Sequence, residues 1–268
     1  MDLYSLKNII KIRWDKFHII KDGNWYSCNN DFELTPDDFL NFAKDEYKLL
    51  DKKGLVGALS NSKRAIDCQI DWIISYLGFE HLKFNENKYP EVKLLIDEFE
   101  HLKNNSKDLT MKLRFIQALG IAPTFLISKI RKLRNKLEHE YTLPSEEDVI
   151  ESIEVAELFI NATENILFNK FCTDYIVQNE YDENDKEFYK NSLLKVSFNS
   201  ESSFNSDVYI NIIIYDKNGA KETLKLKSED RGYVFFIKAS ITNEFSYLVN
   251  AMGYDIDKKY VKYEIHYA

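Results

Sequence analysis

Apolar residues recur every three or four positions through much of this chain, which is the spacing of one helix face. The Leu and Ile residues at 126, 130, 133 and 137 form one such stripe. The pattern predicts helices over about residues 36–52, 55–77, 90–102, 109–119, 122–141 and 145–166. Because the loops between the predicted helices are short, the pattern favours an up-and-down helical bundle.

Local signals mark where several of these helices begin and end. Thr35 before Pro36 is typical of a helix start, since Thr caps the first turn and Pro is tolerated there. Ser145 and Asp148 match the capping-box pattern at the start of another helix. Gly120 is placed to end the predicted helix 109–119 in the left-handed conformation, and Gly78 is placed to end the predicted helix 55–77 in the same way.

Beyond about residue 190 the apolar period changes to the alternation of strands. Residues 216–219 read Asp-Lys-Asn-Gly, a hairpin turn, and they separate two predicted strands at 208–215 and 223–227. A short helix is predicted over 244–252 and a last strand over 260–267. Residues 233–239 fit either a strand or a helix, and a strand is favoured.

These patterns predict an α+β protein that is mainly helical. Residues 1–50 form an N-terminal extension with a hairpin at Asp22-Gly23 and a helix, and residues 51–178 form the helical bundle. The acidic stretch 179–185 is typical of a linker, and residues 190–268 form a small C-terminal α+β accessory domain.

Composition narrows the class of protein. The chain has 268 residues, a formal net charge of −8 and a sequence pI near 5.3, which disfavours indiscriminate coating of nucleic acid. No apolar run is long enough to cross a membrane, and the N-terminus lacks a signal-peptide pattern. The three cysteines are scattered at positions 28, 68 and 172, which is typical of a reducing, cytoplasmic location.

One basic segment stands out against this acidic background. Between residues 129 and 136 it carries five cations, which are Lys129, Arg131, Lys132, Arg134 and Lys136. On a helix Arg131, Asn135 and His139 form one ridge, whereas Arg134 and His139 lie about 140° apart. Taken singly, each residue fits a solvated basic face, with Glu138 pairing with Arg134. Taken together, the His and Asn among these cations favour a functional site, since both are weak helix formers.

Residues 134–139, which read Arg-Asn-Lys-Leu-Glu-His, resemble the Arg-polar-x-x-x-His motif of the HEPN superfamily of helical ribonucleases and toxins. Residues 57–67 resemble the first long helix of that family, so the resemblance covers about the middle half of the chain. It implies metal-independent RNA cleavage through the ribose 2′-hydroxyl, no cofactor, and a homodimer in which sites from two protomers meet. The protein is then expected to be a toxin or antiviral effector.

The resemblance and the residue chemistry together imply a role for each side chain. His139 is a general base or acid, Arg134 stabilises charge on the phosphoryl oxygens, and Asn135 orients His139 or binds the RNA. Binding of the RNA backbone is expected from the remaining cations, which are Lys129, Arg131, Lys132 and Lys136.

Two alternatives stay open. HEPN-like bundles also occur as non-catalytic proteins that bind nucleotides or partners. With Tyr141 the motif also resembles the Arg-x4-His-x-Tyr form of toxins that a nucleotidyltransferase antitoxin modifies on the Tyr. The chain would then be the toxin half of a toxin–antitoxin pair.

The remaining histidines, aromatic residues and glycines give weaker indications of function. Four histidines lack carboxylate or cysteine partners at ligand spacing, so no metal site is predicted; they are His18, His81, His101 and His266. Five aromatic residues fit either base stacking on a sheet or, more simply, the core; they are Tyr209, Tyr215, Tyr233, Phe235 and Phe236. No glycine-rich phosphate loop is present.

Overall fold

A computed structural model describes residues 3, 10–22, 32–103, 109–122, 126, 142–180, 193–200, 208–215 and 221–267. The protein is α+β, as predicted. Within those residues the α-helices are α1 (Pro36–Tyr47), α2 (Lys52–Tyr76), α3 (Pro90–Lys103), α4 (Met111–Leu119), α5 (Glu146–Asn169), α6 (Tyr233–Thr242) and α7 (Tyr247–Ala251). The strands are β1 (Phe17–Lys21), β2 (Asp174–Asn179), β3 (Leu193–Ser200), β4 (Val208–Tyr215), β5 (Lys221–Leu226) and β6 (Tyr263–Tyr267). No described helix is long and apolar enough to cross a membrane.

The helix ends form as the sequence predicts. The Asp38 amide donates to Thr35 Oγ1 at 3.2 Å, and the Thr35 amide donates to Asp38 Oδ2 at 2.8 Å. Ser145 and Asp148 make the same reciprocal pair at the start of α5. Gly120 ends α4 with φ at +80°, a conformation that costs glycine little. At the starts of α1 and α5, the amides of residues 35, 38, 145 and 148 are therefore hydrogen-bonded as the capping rules indicate.

The strands form one six-stranded sheet in the order β5-β4-β3-β2-β1-β6. Neighbouring strands are antiparallel except for β1 and β6, which are parallel. Both ends of the described chain therefore meet in the same sheet. The described partners of strand β1 are β2 and β6, and neither is the second arm of the hairpin predicted at Asp22-Gly23. That second arm, residues 25–26, lies outside the described residues.

One face of the sheet is apolar and packs into the core. Ile19, Val177, Val196 and Ile212 are completely buried on four neighbouring strands; Ile19 lies opposite Val177, and Val196 lies opposite Ile212. They belong to the same cluster of buried apolar residues as the helices. The other face carries more exposed side chains, among them Tyr209 and Tyr215 of the predicted aromatic set.

Residues 233–242 form helix α6, so the strand predicted over 233–239 is wrong. Every side chain from Tyr233 to Ile241 is buried, including Phe235 and Phe236. A segment that is apolar on all sides shows no period, and its aromatic and β-branched residues then favour a strand. Burial among other elements selects the helix, and these three aromatic residues serve the core.

Helix α6 joins the C-terminal part of the chain to the helices that precede it. Tyr233 donates its hydroxyl to the Leu77 carbonyl at 2.9 Å. Lys238, which is also buried, donates Nζ to the Ala118 carbonyl at 2.8 Å, near the end of α4. The Gly232 amide donates to Glu91 Oε2 at 2.6 Å.

These contacts connect elements that the sequence assigns to different domains. Residues 174–178, which the sequence places at the end of the bundle, lie in strand β2. The three-segment division of the chain itself stays a prediction.

Candidate functional site

The predicted catalytic and RNA-binding residues lie in a segment of which the structure describes only Leu126. The residues outside the described part of the chain are Lys129, Arg131, Lys132, Arg134, Asn135, Lys136, His139 and Tyr141. Their roles stay predictions. The two flanks of the segment are described, and they determine where it enters and leaves the fold.

The upstream flank is held in the core. Helix α4 ends at Gly120, and the Ile121 amide donates back to the Ile116 carbonyl at 3.1 Å. Ile121 and Ala122 are buried, and Leu126 is helical and only 2% exposed. Because Leu126 is the first residue of the predicted apolar stripe, its burial agrees with a stripe that faces the core.

The downstream flank is fixed as well. Thr142 and Leu143 are exposed, Pro144 is buried, and the Ser145–Asp148 capping box starts α5 directly afterwards. The basic segment therefore runs between a buried attachment at residue 122 and a capped helix at residue 145. Both attachments are made by residues outside the motif.

Helix α2, which contains the residues that resemble the first family helix, packs against α1 and α5. Asn61 donates Nδ2 to Glu46 Oε2 at 3.1 Å, and Arg64 Nη1 reaches Asn61 Oδ1 at 3.4 Å. Gln69, which is fully buried, donates to Thr163 Oγ1 of α5 at 2.9 Å. Asn61 and Gln69 thus pair with the neighbouring helices α1 and α5.

A surface cavity of about 430 Å³ lies beside the end of α2 and contains a Ser–His pair. The His81 Nδ1 atom is 3.0 Å from Ser75 Oγ, a separation found between a nucleophile and its base. Ser75 is only 2% exposed, and burial lowers the pKa of His81. A hydroxyl that a substrate cannot reach is a poor nucleophile, so this pair holds α2 to the short 3-10 helix His81–Lys83.

The described cysteines offer little reactivity. Burial raises the pKa of Cys172 to about 11, and burial together with Asp71 raises the pKa of Cys68 to about 11. Because the thiolate is the reactive form, both side chains are weak nucleophiles near neutral pH. Both are free thiols, and Cys28 lies outside the described residues.

Three side chains on neighbouring strands form a cluster that the sequence analysis missed. His18 of β1 lies beside Glu264 and His266 of β6, and the nearest ligand atoms of all three lie within 4.8 Å of one another. It is the one group of three or more metal-ligand side chains found in the described part of the chain. His18 is too far from Glu264 and His266 in sequence for spacing to reveal the group.

Comparison with known proteins adds no relative: no family model, no curated protein and no solved structure matches this chain.

Proposed function

We propose that this protein is a metal-independent endoribonuclease of HEPN type, acting in the cytoplasm as a toxin or antiviral defence effector. The observation that carries the proposal is the sequence Arg-Asn-Lys-Leu-Glu-His at residues 134–139, within a basic segment of an otherwise acidic chain. The flanks of that segment support it, because both are attached to the fold independently of the motif.

The same proposal includes an up-and-down helical bundle followed by a small C-terminal α+β domain. Helices α1, α2 and α5 support it, since Asn61 of α2 binds Glu46 of α1 and Gln69 of α2 binds Thr163 of α5. Lys44 of α1 also pairs with Glu157 of α5 at 3.1 Å. The helix predicted over residues 122–141 would complete the bundle.

Each motif side chain is assigned one step of the reaction. His139 removes the proton from the ribose 2′-hydroxyl or protonates the leaving 5′-oxygen, since an unperturbed imidazole titrates near pH ~6.5. The 2′-oxygen attacks the adjacent phosphorus, and the bond to the 5′-oxygen breaks. Arg134 donates to the phosphoryl oxygens as their charge develops. Asn135 orients His139 or binds the ribose.

The remaining cations bind the flanking RNA backbone. Lys129, Arg131, Lys132 and Lys136 supply four positive charges beside the motif. The chain as a whole has a net charge of −8, so its attraction for a polyanion is confined to this segment. Binding of RNA is therefore expected to be local and to weaken steeply as salt increases.

The first test concerns the products. We expect the purified chain to cleave single-stranded RNA in excess EDTA, to leave DNA of the same sequence intact, and to produce 2′,3′-cyclic phosphate and 5′-hydroxyl ends. The reason is that the 2′-hydroxyl is the nucleophile, and DNA lacks it. Treating the products with polynucleotide kinase, with and without its 3′-phosphatase activity, identifies the ends. Cleavage that requires Mg²⁺, or products with 3′-hydroxyl ends, would refute this mechanism.

The second test concerns assembly. We propose a homodimer in which both copies of Arg134 and His139 surround one cleft, because a single helix points these side chains about 140° apart. Mixing Arg134→Ala chains with His139→Ala chains is expected to restore part of the activity, since mixed dimers contain one intact pair. Activity is measured after the two variants are unfolded together and refolded, with each variant refolded alone as the control. A monomer that cleaves at full rate would contradict the shared cleft.

The alternative function is binding without catalysis, as nucleotide binder, partner binder or toxin half of a pair. The observation in its favour is Tyr141, which stands where a paired toxin carries the Tyr that its antitoxin modifies. If the purified chain binds RNA without cleaving it, and the His139→Ala chain binds equally well, this alternative replaces the nuclease.

A further inference from the structure

The parallel pairing of β1 with β6 brings His18, Glu264 and His266 to one face of the sheet. In that register His18 lies opposite Glu264, and His266 lies opposite Ile20, two residues further along the same face. The His18 Nδ1 atom is 2.6 Å from His266 Nε2, and Glu264 Oε2 is 3.7 Å from the same His266 atom. The two imidazole rings are stacked, with their centroids 4.8 Å apart.

We propose that these three side chains form a binding site for a divalent transition metal, with zinc as the best match. Two imidazole nitrogens and one carboxylate oxygen are a donor set that Zn²⁺ accepts in proteins, with the fourth position left to water or another ligand. Imidazole also suits Cu²⁺ and Ni²⁺, whereas Mg²⁺ prefers oxygen ligands only. This site is independent of the proposed nuclease motif, and it departs from the expectation of no metal site.

The distances require only a small adjustment. Zinc holds each imidazole nitrogen at about 2.0–2.1 Å, so two nitrogens in a tetrahedral site lie about 3.3 Å apart. The two nitrogens must therefore separate by roughly 0.7 Å, which a change in side-chain torsion achieves. The side chains have room for it, because His266 is 47% exposed and Glu264 is 75% exposed.

The strand that carries His18 is well anchored. Its neighbours Phe17 and Ile19 are fully buried. The preceding segment is held by Asn179, which accepts from the Arg13 amide and donates to the Lys11 carbonyl, both at 2.7 Å. Strand β6 is the edge strand of the described sheet and is paired with β1. A metal on these side chains would cross-link the edge strand to an inner strand, and so bind the folded chain more tightly than the unfolded one.

Zinc titration of the full chain, freed of any polyhistidine tag, tests the proposal. Isothermal titration with ZnCl₂ is expected to show one site per chain, and zinc should raise the melting temperature. MgCl₂ should do neither. His18→Ala, His266→Ala and Glu264→Gln are each expected to weaken this binding by about tenfold or more. His101→Ala is the matched control, because His101 is an exposed histidine on α3, and its affinity should equal that of the unchanged chain.

Two results would overturn the site. One is the absence of saturable zinc binding, which would leave the imidazoles as a hydrogen-bonded pair. The other is one-site binding that the His18→Ala chain retains at full affinity, which would place the metal elsewhere. Circular dichroism of each metal-free variant shows whether it is folded, and the exposed Glu264→Gln change keeps the test valid if a histidine variant unfolds.

Discussion

Replacing His139 or Arg134 with Ala is expected to reduce RNA cleavage by at least about 100-fold, the lower end of what a general acid–base group contributes. His139 carries the proton, and Arg134 stabilises the developing phosphoryl charge, so neither loss can be compensated by the other. The melting temperature should stay nearly unchanged, because both side chains are polar and lie outside the predicted apolar stripe at residues 126, 130, 133 and 137. Initial rates on a fluorescent single-stranded RNA give the measurement.

Two further variants serve as a comparison and a control for this measurement. Asn135→Ala is expected to reduce cleavage less than His139→Ala, since it orients the reacting groups and does not exchange the proton. His101→Ala removes an exposed histidine from α3 and should leave the rate unchanged. A His139→Ala chain with the full rate would remove His139 from the mechanism, and one that fails to fold would assign it a structural role.

Gly232→Ala is expected to destabilise the fold substantially. The residue has φ at +89°, which costs an L-residue about 1–2 kcal/mol. An added Cβ would also lie 2.6 Å from the Ala251 carbonyl oxygen and 2.4 Å from Leu3 Cδ2. Because the Ala251 oxygen is backbone, relieving this contact requires α6 and α7 to separate, and overpacking of this kind costs about 1–3 kcal/mol more.

Gly120→Ala is the matched control for that prediction. Gly120 has φ at +80°, yet among the described residues its added Cβ would meet only Thr242 Cγ2, at an ordinary 3.4 Å. The two variants therefore share the conformational cost and differ in the steric one. Urea unfolding of both chains should show the larger loss for Gly232→Ala. Equal losses would contradict the close packing of the Gly232 turn against α7.

Short-range rules account for most of what the sequence predicts correctly. Thr35, Ser145 and Gly120 mark helix ends through groups only a few residues away, so their effect does not depend on the rest of the fold. The strand predicted over residues 208–215 from their β-branched and aromatic content likewise agrees with β4 to the residue. In each case the deciding interaction lies within or directly beside the element.

Long-range packing decides what the sequence could not show. Residues 233–242 show no clear apolar period, and every side chain from Tyr233 to Ile241 is buried, so packing against other elements favours the helix. Strand β1 pairs with β2 and β6, which lie far along the chain and are not joined to it by a short turn whose sequence would predict the pairing. The cluster of His18, Glu264 and His266 depends on that same pairing, so the sequence alone did not show that His18 lies beside the other two.

The candidate nuclease site has the opposite character. Its residues are contiguous, so the sequence alone is enough to propose them. Their orientation depends on how a predicted helix over residues 122–141 is turned and on whether a second chain lies beside it. Neither is a local property. On one helix Arg134 and His139 lie about 140° apart, so the proposed dimer is needed to bring them into one cleft.

Mapping RNA ends in cells that express the chain tests directly whether it is a ribonuclease that depends on Arg134 and His139. Total RNA is sequenced by a method that captures 5′-hydroxyl ends, beside cells expressing an Arg134→Ala, His139→Ala chain to the same level. We expect new 5′-hydroxyl ends at discrete RNA positions in the first sample and none of them in the second. Identical sets of ends in the two samples, with both proteins folded and present, would contradict it.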